Sequence, residues 1–365
     1  MYNGVMQLVV FILMLSVLIL IHELGHFLSA RLFKMRVEEF GIGLPPRAKP
    51  LFVRNGTLFS LNWLPMGGFV RLFGEDMENI EQLKSPEAFF NKPMWQRAAV
   101  LLAGVTMNFL LGVVLFGVVY SYLGIPTKTN KVNIVEIAEG SPAQQVGISP
   151  DSTVTKMAVN GEEIAFTDIE SFVTQVDSFK GREIEMSLRQ KDGTEKTVKI
   201  TPRVSPPQGQ GALGVALSSI EMKKYPWWQM PFRGARVGMI EAWGWGKEIV
   251  GSLWTMLVNI VTGKGLPKDV AGPIGMYQVS KEVYKVGWVA VLQFMGILSV
   301  NLAILNVMPF PALDGGRIAF LGVEKIIGKR RKNLIEGYVN SAGLIFLMGL
   351  MVLISIKDII KLFAK

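Results

Sequence analysis

The sequence predicts a polytopic α-helical membrane protein with four transmembrane helices, a membrane-associated β-hairpin or sheet, and an inserted extracytoplasmic α+β domain. Half of the 365 residues are hydrophobic and only 18% are charged, which is too apolar for a soluble chain of this length. Four long segments contain no Asp, Glu, Lys or Arg. Between the second and third of these segments, the composition becomes that of a soluble domain.

Each uncharged segment is long enough to cross a bilayer as a helix, which takes about 20 residues. The segments are 1–21, 98–127, 286–313 and 337–356. The first has no basic start and no small-residue cleavage site, so we interpret it as a retained helix rather than a secretory signal. A shorter apolar stretch, 249–263, is typical of a helix that lies in the membrane interface.

The basic residues indicate the orientation of the chain. Ten Lys and Arg residues lie between the first and second apolar segments, and six lie between the third and fourth. Because basic loops stay cytoplasmic, we expect these loops inside, and both termini and the 128–285 segment outside. The net charge of +9 therefore flanks the lipid bilayer, and we predict no nucleic-acid partner. The absence of cysteine excludes disulfides and thiolate metal ligands.

These patterns divide the chain into eight predicted segments. In chain order they are the first transmembrane helix (1–30), a cytoplasmic-side loop with a β-element (31–97), the second transmembrane helix (98–127), the extracytoplasmic domain (128–204), a linker with the interfacial helix (205–285), the third transmembrane helix (286–316), a cytoplasmic loop (317–336), and the fourth transmembrane helix with a tail (337–365). The β-element is predicted from the Asn55-Gly56 turn signal between alternating apolar residues. We expect it to dip into the membrane; a small soluble hairpin is the alternative.

Both histidines of the chain lie in one motif, HELGH at residues 22–26, which ends the first apolar segment. In a helix, residues i and i+4 share a face, so His22 and His26 can reach the same ion. Zinc is the metal that this pattern favours, and Glu23 lies beside the histidines, where it can act on a metal-bound water. Two histidines packed among helices are the alternative. Since the chain has no other histidine and no cysteine, the third ligand must be a carboxylate.

Asp314 is the best candidate for that carboxylate. It lies in NVMPFPALDGGR (306–317) and is the first acid after 28 uncharged residues. An ionisable group at membrane depth is functional by default. The nearby prolines and glycines break the helix, and broken backbone is tolerated at this depth only where it lines a cavity. The first and third helices run in the same direction, so Asp314 and the histidines all lie toward the cytoplasmic end. An acid that caps a loop is the alternative.

The motifs HELGH and NVMPFPALDGG together resemble the site-2 protease family of intramembrane zinc metalloproteases, over nearly the whole chain. The extracytoplasmic insert and GPIG (272–275) narrow the resemblance to the bacterial regulator-of-sigma-E protease branch. The resemblance implies an inner-membrane enzyme with Zn2+ on His22, His26 and Asp314, and with Glu23 as general base. Its substrates would be single-pass proteins, such as anti-sigma factors or signal-peptide remnants, cut within the membrane after their ectodomains are trimmed.

Four further residues are expected to contact substrate. Asn306 matches the family's Asn eight residues before the aspartate, and GVTMN matches its second-span signature, which ends in Asn108. Hydrogen bonding between helices is the alternative for both. A helical substrate must unwind before attack, and the edge of a membrane-dipping hairpin at 51–73 can pair with the freed backbone. We expect Gly67 and Gly68 of that hairpin to lie along the substrate.

The segment AEGSPAQQVGISPDSTVTKMAVNGEEI (138–164) resembles the PDZ domains of bacterial proteases. It departs from them at Asp151-Ser152, where Gly-Asp is usual, and in a slightly longer run to Asn160. The resemblance implies a PDZ-like domain that binds a peptide tail or restricts substrate size; a spacer without a ligand is the alternative. Two other classes remain open for the whole chain, a catalytically idle peptide-binding scaffold and a metal transporter.

Overall fold

The structure is a computed structural model that describes residues 2–75, 84–263 and 272–363. Parts of four predicted segments lie outside the described residues: the first transmembrane helix, the cytoplasmic-side loop, the linker and the C-terminal tail. The chain divides into two compact units. Unit 1 consists of Met1–Tyr122 and Pro231–Lys365, and unit 2 consists of Leu123–Met230.

The described residues form helices and strands in the following order: α1 (Tyr2–Leu32), β1 (Val37–Arg54), β2 (Thr57–Leu72), a short 3-10 helix (Phe89–Asn91), α2 (Met94–Leu123), β3 (Ile125–Ile137), α3 (Pro142–Gln145), β4 (Ser152–Val159), β5 (Glu162–Ile164), α4 (Ile169–Ser178), β6 (Ile184–Arg189), β7 (Glu195–Ile200), β8 (Val215–Lys223), α5 (Met230–Val261), α6 (Pro273–Val286), α7 (Trp288–Val307), α8 (Asp314–Ile327) and α9 (Lys329–Phe363).

Among the described residues, four helices of unit 1 are long and apolar enough to cross a membrane, as the sequence predicts. The candidate spans are Gly4–Leu32, Met94–Leu123, Trp288–Val307 and Ile335–Lys361. The predicted second helix, 98–127, runs too far, because Gly124 adopts a positive φ of 116° and β3 follows at once. The predicted third helix, 286–316, also ends early, at Val307.

The segment 317–336, predicted as a loop, is mostly helical. Residues up to Ile327 belong to α8, and α9 starts at Lys329. The helix α8 is amphipathic and buries Leu321 in a cluster with α1, β1 and α2. The charged residues of this segment suggested a loop, but its apolar residues share one face, which makes it a helix.

The predicted linker and interfacial helix, 205–285, contains two helices of unit 1. The helix α5 spans 32 residues and lies against α2 and α7. Gly234 and Gly238 make the approach to α2 possible, since a side chain at either position would meet the backbone of α2 near Gly117. This helix is not among the candidate spans, and its interfacial location stays a prediction.

The β-element predicted around Asn55-Gly56 is the antiparallel pair β1 and β2. Asn55 and Gly56 both have positive φ, of 49° and 78°, as the turn signal predicts. The two strands are long and bent, so that residues 39–42 face residues 58–61 on one side and residues 68–71 on the other. The 68–72 segment of β2 therefore lies at an edge of this small sheet.

Unit 2 is a sheet in the order β7-β6-β4-β3-β8, with β5 beside β4 and α4 packed against β3 and β8. A turn at Asp192-Gly193 joins the antiparallel strands β6 and β7. The predicted boundaries, 128–204, are too narrow, because β8 lies beyond the Pro- and Gly-rich stretch 205–211 and pairs with β3. That stretch is a loop within the unit. The PDZ-like assignment stays a prediction.

Candidate metal centre

The helix α1 places both histidines on one buried face. His22 and His26 are 7% and 8% exposed, and their Nε2 atoms lie 3.1 Å apart. The rings meet edge to face, with centroids 4.7 Å apart. The spacing of four residues is what brings the two imidazoles together, as the sequence predicts.

Asp314 reaches the histidines because the chain turns sharply after α7. The turn includes Ala312 in a left-handed conformation, with φ of 74°, and Asp314 is the first residue of α8. Gly315 and Gly316 permit the turn, since a Cβ on either would collide with the backbone at the end of α7 or at Phe310. The backbone N–H of Ala312 donates to Oδ1 of Asn340 on α9, at 3.1 Å.

The three side chains fit a zinc ion. Asp314 Oδ2 lies 3.0 Å from His22 Nε2 and 3.3 Å from His26 Nε2. Tetrahedral zinc with bonds near 2.0–2.1 Å separates its ligand atoms by about 3.3 Å, which matches all three pairs. The Nδ1 atom of His26 lies 2.8 Å from the carbonyl oxygen of Val100, so Nδ1 donates there and leaves the Nε2 lone pair free for a metal.

Glu23 lies next to His22 on α1 and lines the same pocket. Its carboxylate accepts a hydrogen bond from the backbone N–H of Val70 in β2. The N–H groups of every second residue of a strand point to the same side, so this contact shows that the edge of β2 faces the pocket. A carboxylate beside three groups that could hold a metal ion has the location that a general base needs.

The pocket lining combines charged and polar groups with apolar side chains. Besides the acidic and imidazole groups, the pocket is lined by α1, β2, α2, α7 and the start of α8, with side chains that include Ile19, Phe69, Val100 and Leu302. Arg317 and Glu75 pair with each other at its lining, and the Glu75 carboxylate raises the pKa of the Arg317 guanidinium.

Of the four residues expected to contact substrate, the structure brings two into the pocket. Asn306 and Asn108 both line it. Gly67 and Gly68 do not; they lie against α1, where added Cβ atoms would meet the side chains of Ile19 and Leu20 at 3.0 and 2.7 Å. These glycines allow β2 to approach α1 one turn before the metal-binding motif. Their contact with substrate stays a prediction.

Several residues of the site were not found by sequence reasoning. Gly104 lies directly under the imidazoles, since a Cβ there would be 2.5 Å from His26 Nε2 and 2.8 Å from His22 Nε2. Its only signal is its place in the GVTMN motif. Asn340, Val70 and Arg317 had no signal in the sequence, because their roles depend on how distant segments pack.

Comparison with known proteins adds independent observations. The chain is 32% identical over 354 residues to a protein of Clostridium acetobutylicum that is named as a zinc metalloprotease, with 97% of each chain covered. It is 27% identical over 437 residues to the regulator of sigma-W protease RasP of Bacillus subtilis, covering 97% of this chain and 98% of the relative. It is also 27% identical over 436 residues to the zinc metalloprotease RasP of Oceanobacillus iheyensis, covering 97% and 99%.

The fold and the site thus define a membrane zinc metalloprotease, in which Zn2+ is the cofactor. The family description "Peptidase family M50" matches residues 10–350, and the chain belongs to that family. The resemblance to site-2 proteases is confirmed. Family membership favours peptide hydrolysis over both the idle scaffold and the metal transporter.

Proposed function

We propose that this protein hydrolyses peptide bonds within the transmembrane segments of single-pass proteins. The observation that carries the proposal is the location of the polar cluster: His22, Glu23 and His26 lie inside the candidate span Gly4–Leu32. Ionisable groups are costly in lipid, and their convergence there is best explained by chemistry on a substrate at that depth. Anti-sigma factors and signal-peptide remnants, trimmed first by another protease, are the substrate class that we infer.

In this proposal, His22, His26 and Asp314 hold the zinc, which supplies Lewis acidity at the pocket. The Glu23 carboxylate accepts the proton of the attacking water and returns it to the leaving amine nitrogen. The Val70 N–H supports the proposal, because it orients that carboxylate from the strand edge. Asn306 and Asn108 are proposed to contact the substrate.

A helical substrate must first expose its carbonyl groups. Lipid cannot satisfy the backbone groups that unwinding frees, so a protein edge must do so. The 68–72 edge of β2 is the proposed partner, since Phe69 and Val70 line the pocket while residues 58–61 already have neighbours on both sides. Addition of the substrate as a further strand would hold it extended beside Glu23.

Site-specific photo-crosslinking tests this pairing. In a Glu23→Gln background, a photoreactive phenylalanine analogue at Phe69 should capture the transmembrane segment of a single-pass substrate. The same analogue at Trp63, an exposed residue of the same strand outside the pocket lining, is the matched control. Equal capture at both positions would contradict docking at the β2 edge.

Unit 2 is proposed to restrict the substrates by their ectodomains, and β8 is the proposed site for a peptide tail. Two features support this: β8 is the last strand of the described sheet order, and α4 packs beside it, which together offer an edge for strand addition next to a helix. Replacing 125–223 by a short Gly-Ser linker is structurally feasible, because Ile125 and Lys223 pair with each other. Cleavage of substrates with long ectodomains should then increase; unchanged length selectivity would favour a spacer.

The proposed location is the bacterial inner membrane, with the termini and unit 2 outside and the metal centre toward the cytoplasm. The basic residues between the spans support this orientation. The chain has no cysteine, so single cysteines introduced in turns can be labelled without background. A cysteine at Gly193, in the β6–β7 turn, should react from the outer face, and one at Asn91 should react only after the membrane is made permeable. The opposite pattern would reverse the orientation.

The decisive experiment compares the purified protein with its Glu23→Gln variant on a single-pass helical substrate that has a short ectodomain. The wild type should cleave it, a chelator should abolish cleavage, and the variant should be slower by about a hundredfold or more while retaining zinc. Equal cleavage by both proteins would place the chemistry elsewhere.

A further inference from the structure

Asn108 on α2 is fully buried beside the metal centre, and one of its amide atoms is unpaired. Its side chain is 0% exposed, and among the residues that the structure describes Oδ1 has no hydrogen-bond partner. The other amide atom, Nδ2, lies 3.5 Å from Nδ1 of His22. A buried amide oxygen without a partner costs about 1–3 kcal/mol, so its arrangement calls for a physical explanation.

A half-turn of the amide pairs the oxygen and changes which nitrogen of His22 carries the proton, with Nδ2 taking the former place of Oδ1. If Nδ2 donates to Nδ1 of His22, the imidazole proton must lie on Nε2, which faces Asp314 and His26 and is the atom required for metal binding. If the amide is rotated, Oδ1 occupies the place of Nδ2 and accepts the proton of Nδ1–H. The unpaired oxygen is then satisfied, and the Nε2 lone pair of His22 is free.

The second histidine is oriented in the same way from the same helix. His26 Nδ1 lies 2.8 Å from the Val100 carbonyl oxygen. Val100, Gly104 and Asn108 follow one another at intervals of four residues and so share one face of α2. On that face the Val100 carbonyl accepts a hydrogen bond from His26, and Gly104 leaves room for both imidazole rings. The Asn108 amide contacts His22.

We propose that Asn108 is a positioning residue of the metal centre, whose Oδ1 accepts a hydrogen bond from Nδ1–H of His22 and directs Nε2 toward the zinc. The inference rests on the ligand set proposed above and replaces substrate contact as the main role of Asn108. The backbone supports it as well, because Ser299 Oγ of α7 donates to the Asn108 carbonyl oxygen at 2.7 Å and fixes this turn of α2. The helix α2 thus provides no metal ligand but orients two of them.

The test measures zinc affinity of the purified full-length protein in detergent, by competition with a chromophoric chelator. Asn108→Leu should lower the affinity about 10- to 100-fold, the loss usual when the hydrogen-bond partner of a metal-binding histidine is removed. Asn108→Asp should stay close to the wild type, because a carboxylate oxygen also accepts from Nδ1–H. With Co2+ in place of zinc, the d–d absorption bands should shift in Asn108→Leu and not in Asn108→Asp.

Thr106→Val is the matched control, since Thr106 is exposed on another face of the same helix and its hydroxyl donates to the Leu102 carbonyl oxygen within that helix. Its affinity should equal that of the wild type. The proposal would be overturned if Asn108→Leu bound zinc as tightly as the wild type, or if Asn108→Leu and Asn108→Asp lost the same amount of zinc affinity. If Asn108→Leu lost cleavage but kept its zinc affinity, substrate contact would again be the main role of Asn108. Zinc retained in His22→Ala would instead refute the ligand set itself.

Discussion

Unit 1 buries imidazole, guanidinium, carboxylate and amide groups, whereas unit 2, which the structure describes throughout, buries the polar side chains of Ser141 and Ser152 and the amide nitrogen of Asn133. In unit 2 those serines cap a helix and close a turn. The remainder of its interior is a continuous apolar cluster around Phe172 and Met157. The two units therefore use their interiors for different purposes.

The difference follows from the solvent around each unit. Unit 2 has the composition of a domain in water, where burying apolar side chains stabilises the fold by about 25 cal/mol per Å². In lipid that driving force is absent between helices, and polar groups inside a span are costly unless they serve one another or a substrate. The polar interior of unit 1 should therefore be needed mainly for zinc, and the apolar interior of unit 2 mainly for stability.

Gly104→Ala should have the largest effect, because it changes unit 1 without removing any polar group. The added methyl would lie 2.5 Å from His26 Nε2, so the imidazoles must move and zinc affinity should fall by about a hundredfold or more. Chelator competition measures the loss. Gly349→Ala in α9 is the control, since nothing lies within 4 Å of its Cβ. Unchanged zinc binding in Gly104→Ala would show that the rings can adapt.

The Arg97–Glu324 pair tests whether some buried polar groups of unit 1 serve stability rather than zinc binding. Two hydrogen bonds of 2.8 and 2.6 Å join these buried side chains across α2 and α8. Arg97→Met removes both of these hydrogen bonds from the buried Glu324 carboxylate and should destabilise the protein by about 3–5 kcal/mol. Adding Glu324→Leu should recover much of that loss in thermal unfolding. A double variant as unstable as the sum of the single changes would show that the two groups do not act as a pair.

Phe172→Ala should affect unit 2 alone. Phe172 is 1% exposed and packs edge to face on Phe166, so its truncation should cost about 3–5 kcal/mol. Hydrogen exchange of the full-length chain should then rise across β6 and β7. Zinc affinity should not change, and a concurrent loss of zinc would contradict the division of roles between the units.

Ala312→Gly should give the smallest effect and with the opposite sign. A left-handed conformation costs a residue with a side chain about 1–2 kcal/mol, and Ala312 has φ of 74°. Glycine removes that cost, although its freedom in the unfolded chain offsets part of the gain, so stability should rise by about 1 kcal/mol or less. Ala342→Gly, inside α9, should instead lower stability by about 0.5–1 kcal/mol. Equal losses in both variants would mean that the turn stores no strain.

The sequence was sufficient for the membrane spans and for the grouping of the metal-binding side chains. Helical spacing alone brings His22 and His26 together, and the cost of an acid at membrane depth singled out Asp314. The turn at Asn55-Gly56 was equally local, because it depends on the φ values that those two residues tolerate. These features need no knowledge of distant contacts.

The rest depends on packing between segments far apart in the chain. Gly104 is important only because α1 crosses α2 at that residue, and Asn340 only because α9 passes over Ala312. The strand β8 was not predicted, because the Pro- and Gly-rich stretch before it is typical of a linker between domains, whereas in the structure it is a loop within unit 2. Patterns of hydrophobicity describe one segment at a time, so they cannot indicate which segments meet.

The pairing of Ile125 with Lys223 gives unit 2 a particular freedom. The chain therefore enters and leaves this unit at neighbouring points. An insert attached in this way can be enlarged, duplicated or exchanged without pulling apart the helices on either side of it. Evolution could thus change unit 2 while leaving the metal centre of unit 1 untouched.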